Sequence, residues 1–151
     1  MIPTAIQREI LIEAPVQTVW GVVTEPGQIS RWFSDAAEID LRPGGEGTLT
    51  FEMRATNERA TVRLLVETAE PPHTFAFRWD YPAGATAHEG NSTRVEFTLI
   101  AEGESTRLRV TESGFPKLER PEEEKAVYAD VHGKGWDIHL VSLRDYVSGQ
   151  S

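Results

Sequence analysis

Gly135-Trp136-Asp137-Ile138-His139-Leu140-Val141-Ser142-Leu143-Arg144-Asp145-Tyr146-Val147 is the stretch that decides the fold of this chain. Trp136, Leu140, Leu143 and Val147 stand at i, i+4, i+7 and i+11, with His139 and Tyr146 beside them, while Asp137, Arg144 and Asp145 fall on other sides. A helix turns once in about 3.6 residues, so this spacing makes one apolar, aromatic face that must be covered. Upstream the helix extends to Pro121, whose fixed φ suits a first helical position, and Glu122, Glu123 and Glu124 complement the positive end of the helix dipole. Gly149 marks its stop. Gly133 and Gly135 each cost about 1 kcal/mol relative to alanine inside a helix, so together they predict either a close backbone approach or a break.

What covers that face is read from the rest of the chain. Ile6, Arg8, Ile10 and Ile12 alternate with Gln7, Glu9, Leu11 and Glu13, a period of two that predicts a first strand ended by Pro15. Val16, Val19, Trp20 and Val23 recur at helical spacing, and Pro26 opens a second short helix with Ile29, Trp32 and Phe33 on one side. A strand from Ala36 to Leu41 then meets Arg42-Pro43-Gly44-Gly45, the chemistry of a tight turn. Gly47 to Arg54, Ala60 to Ala69, His73 to Asp80, Ser92 to Ala101 and Ser105 to Ser113 follow as strands of a meander. Parity sends Leu49, Phe51, Met53, Val62, Leu64, Val66, Phe75, Phe77, Trp79, Val95, Phe97, Leu99, Leu108 and Val110 to one face. Arg63, Glu67, Arg78, Arg94, Glu96, Arg107 and Arg109 take the other, as a solvated face with cross-strand charge pairs requires. The expected class is α+β: an antiparallel sheet of six to seven strands against one long C-terminal helix.

At 151 residues the chain is expected to form a single domain, spanning 1–151. A domain of that size buries roughly 68–70% of the surface its unfolded chain exposes, enough for a real core. The formal charge of −9, without a Lys/Arg cluster, argues against nucleic acid and anionic membrane as partners. Without cysteine there is no disulfide, thiolate metal site or cysteine nucleophile. No apolar run approaches the roughly 20 residues of a membrane span, Met1 to Ile10 lack a signal-peptide layout, and a cytoplasmic protein is expected.

The order of these pieces resembles a known family. Ala14-Pro15-Val16-Gln17-Thr18-Val19-Trp20, Thr24-Glu25-Pro26, Arg31-Trp32-Phe33, Arg42-Pro43-Gly44-Gly45, Glu70-Pro71-Pro72-His73, Thr111-Glu112-Ser113-Gly114-Phe115 and Gly135-Trp136 carry the likeness. Together they are similar to the START-like helix-grip (SRPBCC) superfamily, and within it to the family of the activator of the heat-shock ATPase chaperone. The resemblance implies a curved antiparallel sheet gripping the long C-terminal helix, with a cavity between them. The wider superfamily includes lipid carriers, hormone receptors and aromatic polyketide cyclases, so fold alone does not choose a function. A chaperone partner is not expected, because the chain starts directly at strand one, without the N-terminal chaperone-binding domain of the eukaryotic cochaperones.

The candidate ligand-binding residues are Trp32, Phe33, Phe51, Phe77, Trp79, Phe97, Phe115, Trp136 and His139, a mostly aromatic set that suits an apolar or aromatic small molecule. The plainer alternative is a filled core. Glu112 shares the parity of Leu108 and Val110, so it is expected to point at the helix, where an inward carboxylate needs a partner and His139 is one candidate. Glu112 and His139 are therefore the candidate acid/base pair of a cyclase- or dehydratase-type enzyme, the rival to non-catalytic binding. His132 and His139 are seven apart, whereas helical metal pairs sit three or four apart, so no metal is expected. No Gly-x-Ser-x-Gly elbow or phosphate loop is present, and no cofactor is expected. A protein-interaction module would need a large exposed apolar or charged patch, and none is read from the sequence. A homodimer is left open.

Overall fold

The computed structural model describes residues 2–53, 56–82 and 84–149. Among these residues seven strands form one antiparallel sheet: β1 (Ala5–Ile12), β2 (Ala36–Ile39), β3 (Glu46–Met53), β4 (Glu58–Glu70), β5 (Thr74–Trp79), β6 (Thr93–Glu102) and β7 (Ser105–Ser113). The spatial order is β1-β7-β6-β5-β4-β3-β2, so β2 to β7 make the expected meander and β1 returns to pair with the last strand. A register shift between Val66 and Thr68 puts a bulge in β4, the longest strand, and bulged strands bend. The sheet thereby curves around its inner face. Strand limits differ from the expected ones by a residue or two, as frayed ends do. The expected end of β3 at Arg54 and the side chain of Met53 lie outside the described residues.

Helices α1 (Val16–Thr24) and α2 (Pro26–Trp32) follow β1, and their Val19, Trp20, Val22, Val23, Ile29 and Trp32 are buried. Helix α3 (Glu122–Ser148) lies across the concave face. Pro121 is its cap rather than its first residue, and the acidic first turn stands as expected. The helix runs without a break through Gly133 and Gly135, so of the two explanations for these glycines the break is wrong. At Gly133 a Cβ would come within 3.2 Å of Arg8 Nη2 and 3.7 Å of Ile6 Cδ1, which makes this the point where α3 closes on β1. Arg8 then reaches along the helix to Asp137, Nε to Oδ1 at 2.7 Å.

The core joins the inner sheet face to the buried side of α3: Leu49, Leu64, Val66, Phe75, Phe77, Val95, Phe97, Leu99, Leu108 and Val110 meet Ala129, Trp136, Leu140, Leu143 and Val147. Each fully buried side chain of this size contributes about 1.5–3 kcal/mol, which is why parity on the sheet and the helical stripe agree so closely. One expectation fails at the surface. Val127, Val131, Ile138 and Val141 are exposed along α3, an apolar stripe that the sequence reading missed because it followed only the buried repeat.

Candidate functional site

Between α3 and strands β3, β4 and β5 lies a cavity of about 340 Å³, lined by Phe33, Phe51, Ala60, Val62, Trp79, Asp80, Val131, His132, Gly135, Trp136 and His139. Its size falls in the range of ligand pockets, about 300–1,000 Å³. Phe33, Trp79 and Trp136 form one aromatic wall: their rings lie within 28° of parallel, with centroids 5.4–5.9 Å apart. Offset arrangements of this kind add roughly 0.5–1.5 kcal/mol per pair beyond burial. Gly135 keeps the helix side of the cavity open, since it carries no side chain there.

Behind the wall stands Glu112, with 0% of its surface exposed. Its carboxylate accepts from Trp79 Nε1 at 3.0 Å, Thr93 Oγ1 at 2.6 Å, Trp136 Nε1 at 2.8 Å and His132 Nδ1 at 2.8 and 2.9 Å. Burial drives this carboxyl upward, but the bond from His132 and its charge, followed by the bonds from Thr93 and Trp136, outweigh burial and hold it below the usual carboxylate range. Glu112 is thus an ionised group at neutral pH, sealed from the cavity by the rings that donate to it.

The inward direction expected for Glu112 is found, but the expected pairing with His139 is corrected to His132. The two histidines lie two turns apart on one side of α3, and the position of the helix along the sheet sets His132 level with β7 at Glu112. His139 instead meets Phe33 edge-on, with ring centroids 4.8 Å apart. Burial pushes His139 below the ordinary histidine value, against a smaller opposing effect of a hydrogen bond to the Trp32 backbone. Both imidazoles line the cavity; Glu112 does not.

The nine candidate ligand residues are not all brought together. Phe33, Phe51, Trp79, Trp136 and His139 line the cavity. Trp32, Phe77 and Phe97 point the same way but mesh beneath it, where the leftover space is about 10 Å³, too small for a ligand. Trp32 also donates its indole N–H to Val22 O at 2.8 Å, which fixes it in the core. Phe115 packs behind His132 and Tyr128, at 6.3 and 6.1 Å between ring centroids. Parity places a ring on a face and says nothing of its depth along that face.

Asp80, Tyr128 and Thr93 were missed. Asp80 follows β5 with a φ of 65°, a left-handed conformation uncommon outside glycine, and sets its carboxylate at the cavity. Tyr128 Oη donates to Asp80 Oδ2 at 2.9 Å, and its ring lies 4.0 Å from that of His132. Burial, then the neighbouring Asp80 and Glu112 carboxylates, push the Tyr128 hydroxyl well above its usual value, so it stays a donor. A helical spacing of i, i+4, i+8 from Tyr128 through His132 to Trp136 was the available signal.

A curved sheet gripping a long helix, with an apolar cavity between them, defines a helix-grip protein. A family model described as "Activator of Hsp90 ATPase homolog 1-like protein" matches residues 13–148, and the chain belongs to that family. No curated protein matches the sequence. Among solved structures, protein NE0264 from Nitrosomonas europaea superposes with a TM-score of 0.80 at 15% identity, over 97% of this chain and 96% of that one. DynU16, a protein of the dynemicin biosynthetic locus, gives 0.74 at 23% identity over 97% of this chain; the chain spans 48% of DynU16. CalU16 from Micromonospora echinospora gives 0.69 at 24% identity, over 97% of this chain and 77% of that one. These likenesses share the fold. Among the described residues no helix is long and apolar enough to cross a membrane.

Proposed function

We propose that this protein binds a compact apolar or aromatic small molecule in the cavity between α3 and strands β3 to β5. The observation that carries the reading is the cavity of about 340 Å³ with an aromatic wall on one side and a few polar groups, Asp80, His132 and His139, at fixed places. Ligand sites are built this way: apolar surface supplies affinity and sparse polar groups supply orientation. The test is a thermal-shift screen with a diverse hydrophobic library. A ligand at 100 times its dissociation constant stabilises the native state by about 2.7 kcal/mol, worth several degrees at this chain length. A library that shifts nothing argues for a closed, ligand-free cavity and removes the reading.

Proton transfer is the second reading, favoured by the contact of His132 Nδ1 with Glu112 at 2.8 Å. In it His132 would touch the substrate and Glu112 would orient the ring, as carboxylates do behind acid/base histidines. The cyclase and dehydratase chemistry of the superfamily needs such a base. Turnover of a ligand found by the screen, lost about 10²–10⁴-fold in His132→Asn while affinity falls by no more than about the tenfold of one hydrogen bond, would favour it over simple binding.

A further inference from the structure

We infer that the cavity selects an uncharged aromatic ligand that carries a hydrogen-bond donor, a phenolic hydroxyl above all, and that His132 Nε2 is the atom receiving it. This rests on the cavity reading and deepens it. The donors that an aromatic wall would ordinarily offer are the indole N–H groups of Trp79 and Trp136, and both are turned away to Glu112, at 3.0 and 2.8 Å. Thr93 Oγ1 is spent on the same carboxylate. Tyr128 Oη gives its hydrogen to Asp80. Among the described lining residues there is no lysine or arginine. The cavity is left with acceptors, Asp80 foremost, and these repel a ligand carboxylate or phosphate.

His132 completes the pattern. An ionised carboxylate only accepts, so the nitrogen facing Glu112 carries the ring's proton, and Nε2 is the nitrogen left for the cavity. In the neutral ring Nε2 is a bare acceptor; in the protonated ring it is a donor. A hydroxyl satisfies both, donating to the first and accepting from the second. An ether or ketone satisfies only the second, and a hydrocarbon neither. Tyr128, with its ring 4.0 Å from the imidazole, and Trp79, edge-on at 5.5 Å, hold that ring in place, so its direction is set before the ligand arrives.

The test is calorimetric titration of the full chain with β-naphthol, its methyl ether and naphthoate, in wild type and in His132→Asn. Asparagine keeps an N–H near the position of Nδ1 for Glu112 but does not extend to Nε2, so the buried carboxylate stays served and the fold is retained. Wild type should bind β-naphthol about tenfold more tightly than the ether, the worth of one hydrogen bond that would otherwise be left unmade, and naphthoate more weakly than either. In His132→Asn the naphthol and its ether should bind alike. Ring-nitrogen NMR gives a readout that a purely structural role would not move: the Nε2 resonance of His132 should shift with naphthol and not with the ether. Equal affinity of the two compounds for wild type, or a naphthol preference that survives in His132→Asn, overturns the inference and leaves the cavity reading standing. Binding of none of the three overturns both.

Discussion

The two faces of the sheet handle charge in opposite ways. On the outer face Glu67 bridges Arg78 at 3.2 Å and Arg94 at 2.8 Å, Arg94 reaches Glu96 at 2.6 Å, and Arg109 pairs with Glu9 at 2.9 Å, all in contact with water. On the inner face one carboxylate, Glu112, is sealed among two indoles, a threonine and a histidine. Exposed pairs exchange one well-solvated state for another and are worth at most about 1 kcal/mol. A buried carboxylate has no water to fall back on, so each donor aimed at it fixes the element that bears it: β5 through Trp79, β6 through Thr93, α3 through His132 and Trp136. The count of ion pairs is therefore a poor guide to what holds this fold, and the single inner group is expected to weigh more than any one pair of the outer lattice.

The largest effect expected from that contrast is at Trp136, which is both core and donor. Trp136→Ala should lower stability by about 3–5 kcal/mol in chemical denaturation, the range for a buried aromatic, and a loss under about 1 kcal/mol would mean that Trp136 does not anchor α3 to the sheet. Glu112→Gln should follow at about 1–3 kcal/mol, because the amide N–H₂ now faces donors and leaves at least one of them, the Trp136 indole N–H or the Thr93 hydroxyl, without its acceptor in a dry site.

The pH dependence sharpens the same point. The Glu112 carboxyl sits below its ordinary 4.5, so the stability it contributes is complete above 4.5 and is lost as pH falls through the lower folded value. His139 sits below its ordinary 6.5; as pH falls under 6.5 the unfolded chain takes a proton that the folded chain refuses, and stability declines there too. Both act in one direction in separate windows. His139→Asn should flatten the upper window and Glu112→Gln the lower; a wild-type stability curve level from pH 6.5 down to 4.5 would remove the His139 contribution. Smallest of all is the outer face, where Glu67→Gln should cost no more than about 1 kcal/mol and less in high salt. If it cost as much as Glu112→Gln, the contrast between the faces would be wrong.

The fold was legible because its two periods, two along the strands and about 3.6 along α3, are written in apolar residues whose burial dominates the energy. Glu112 was legible as an inward group for the same reason, since parity applies to polar residues as well. Its partner was not. His132 and His139 share a side of α3, and choosing between them requires the slide of the helix along the sheet, which Gly133 against Ile6 and the ion pair of Arg8 with Asp137 set through long-range contacts. Depth was hidden as well: Phe77 and Trp79 have equal parity, yet Phe77 lies beneath the cavity and Trp79 lines it. Asp80 was read as the end of a strand, because no local pattern announces a positive φ at an aspartate.

The turning of Trp79 and Trp136 toward Glu112 has an optical consequence. Of four tryptophans, these two line the cavity, whereas Trp32 lies beneath it, stacked on Phe33, and Trp20 is packed in α1 outside its lining. Indole emission depends on what surrounds the ring and on the ion its N–H faces, and that ion is fixed here. On the proposed reading, a ligand entering the cavity is expected to change the emission of Trp79 and Trp136, with Trp20, outside the cavity lining, as an internal standard in the same spectrum.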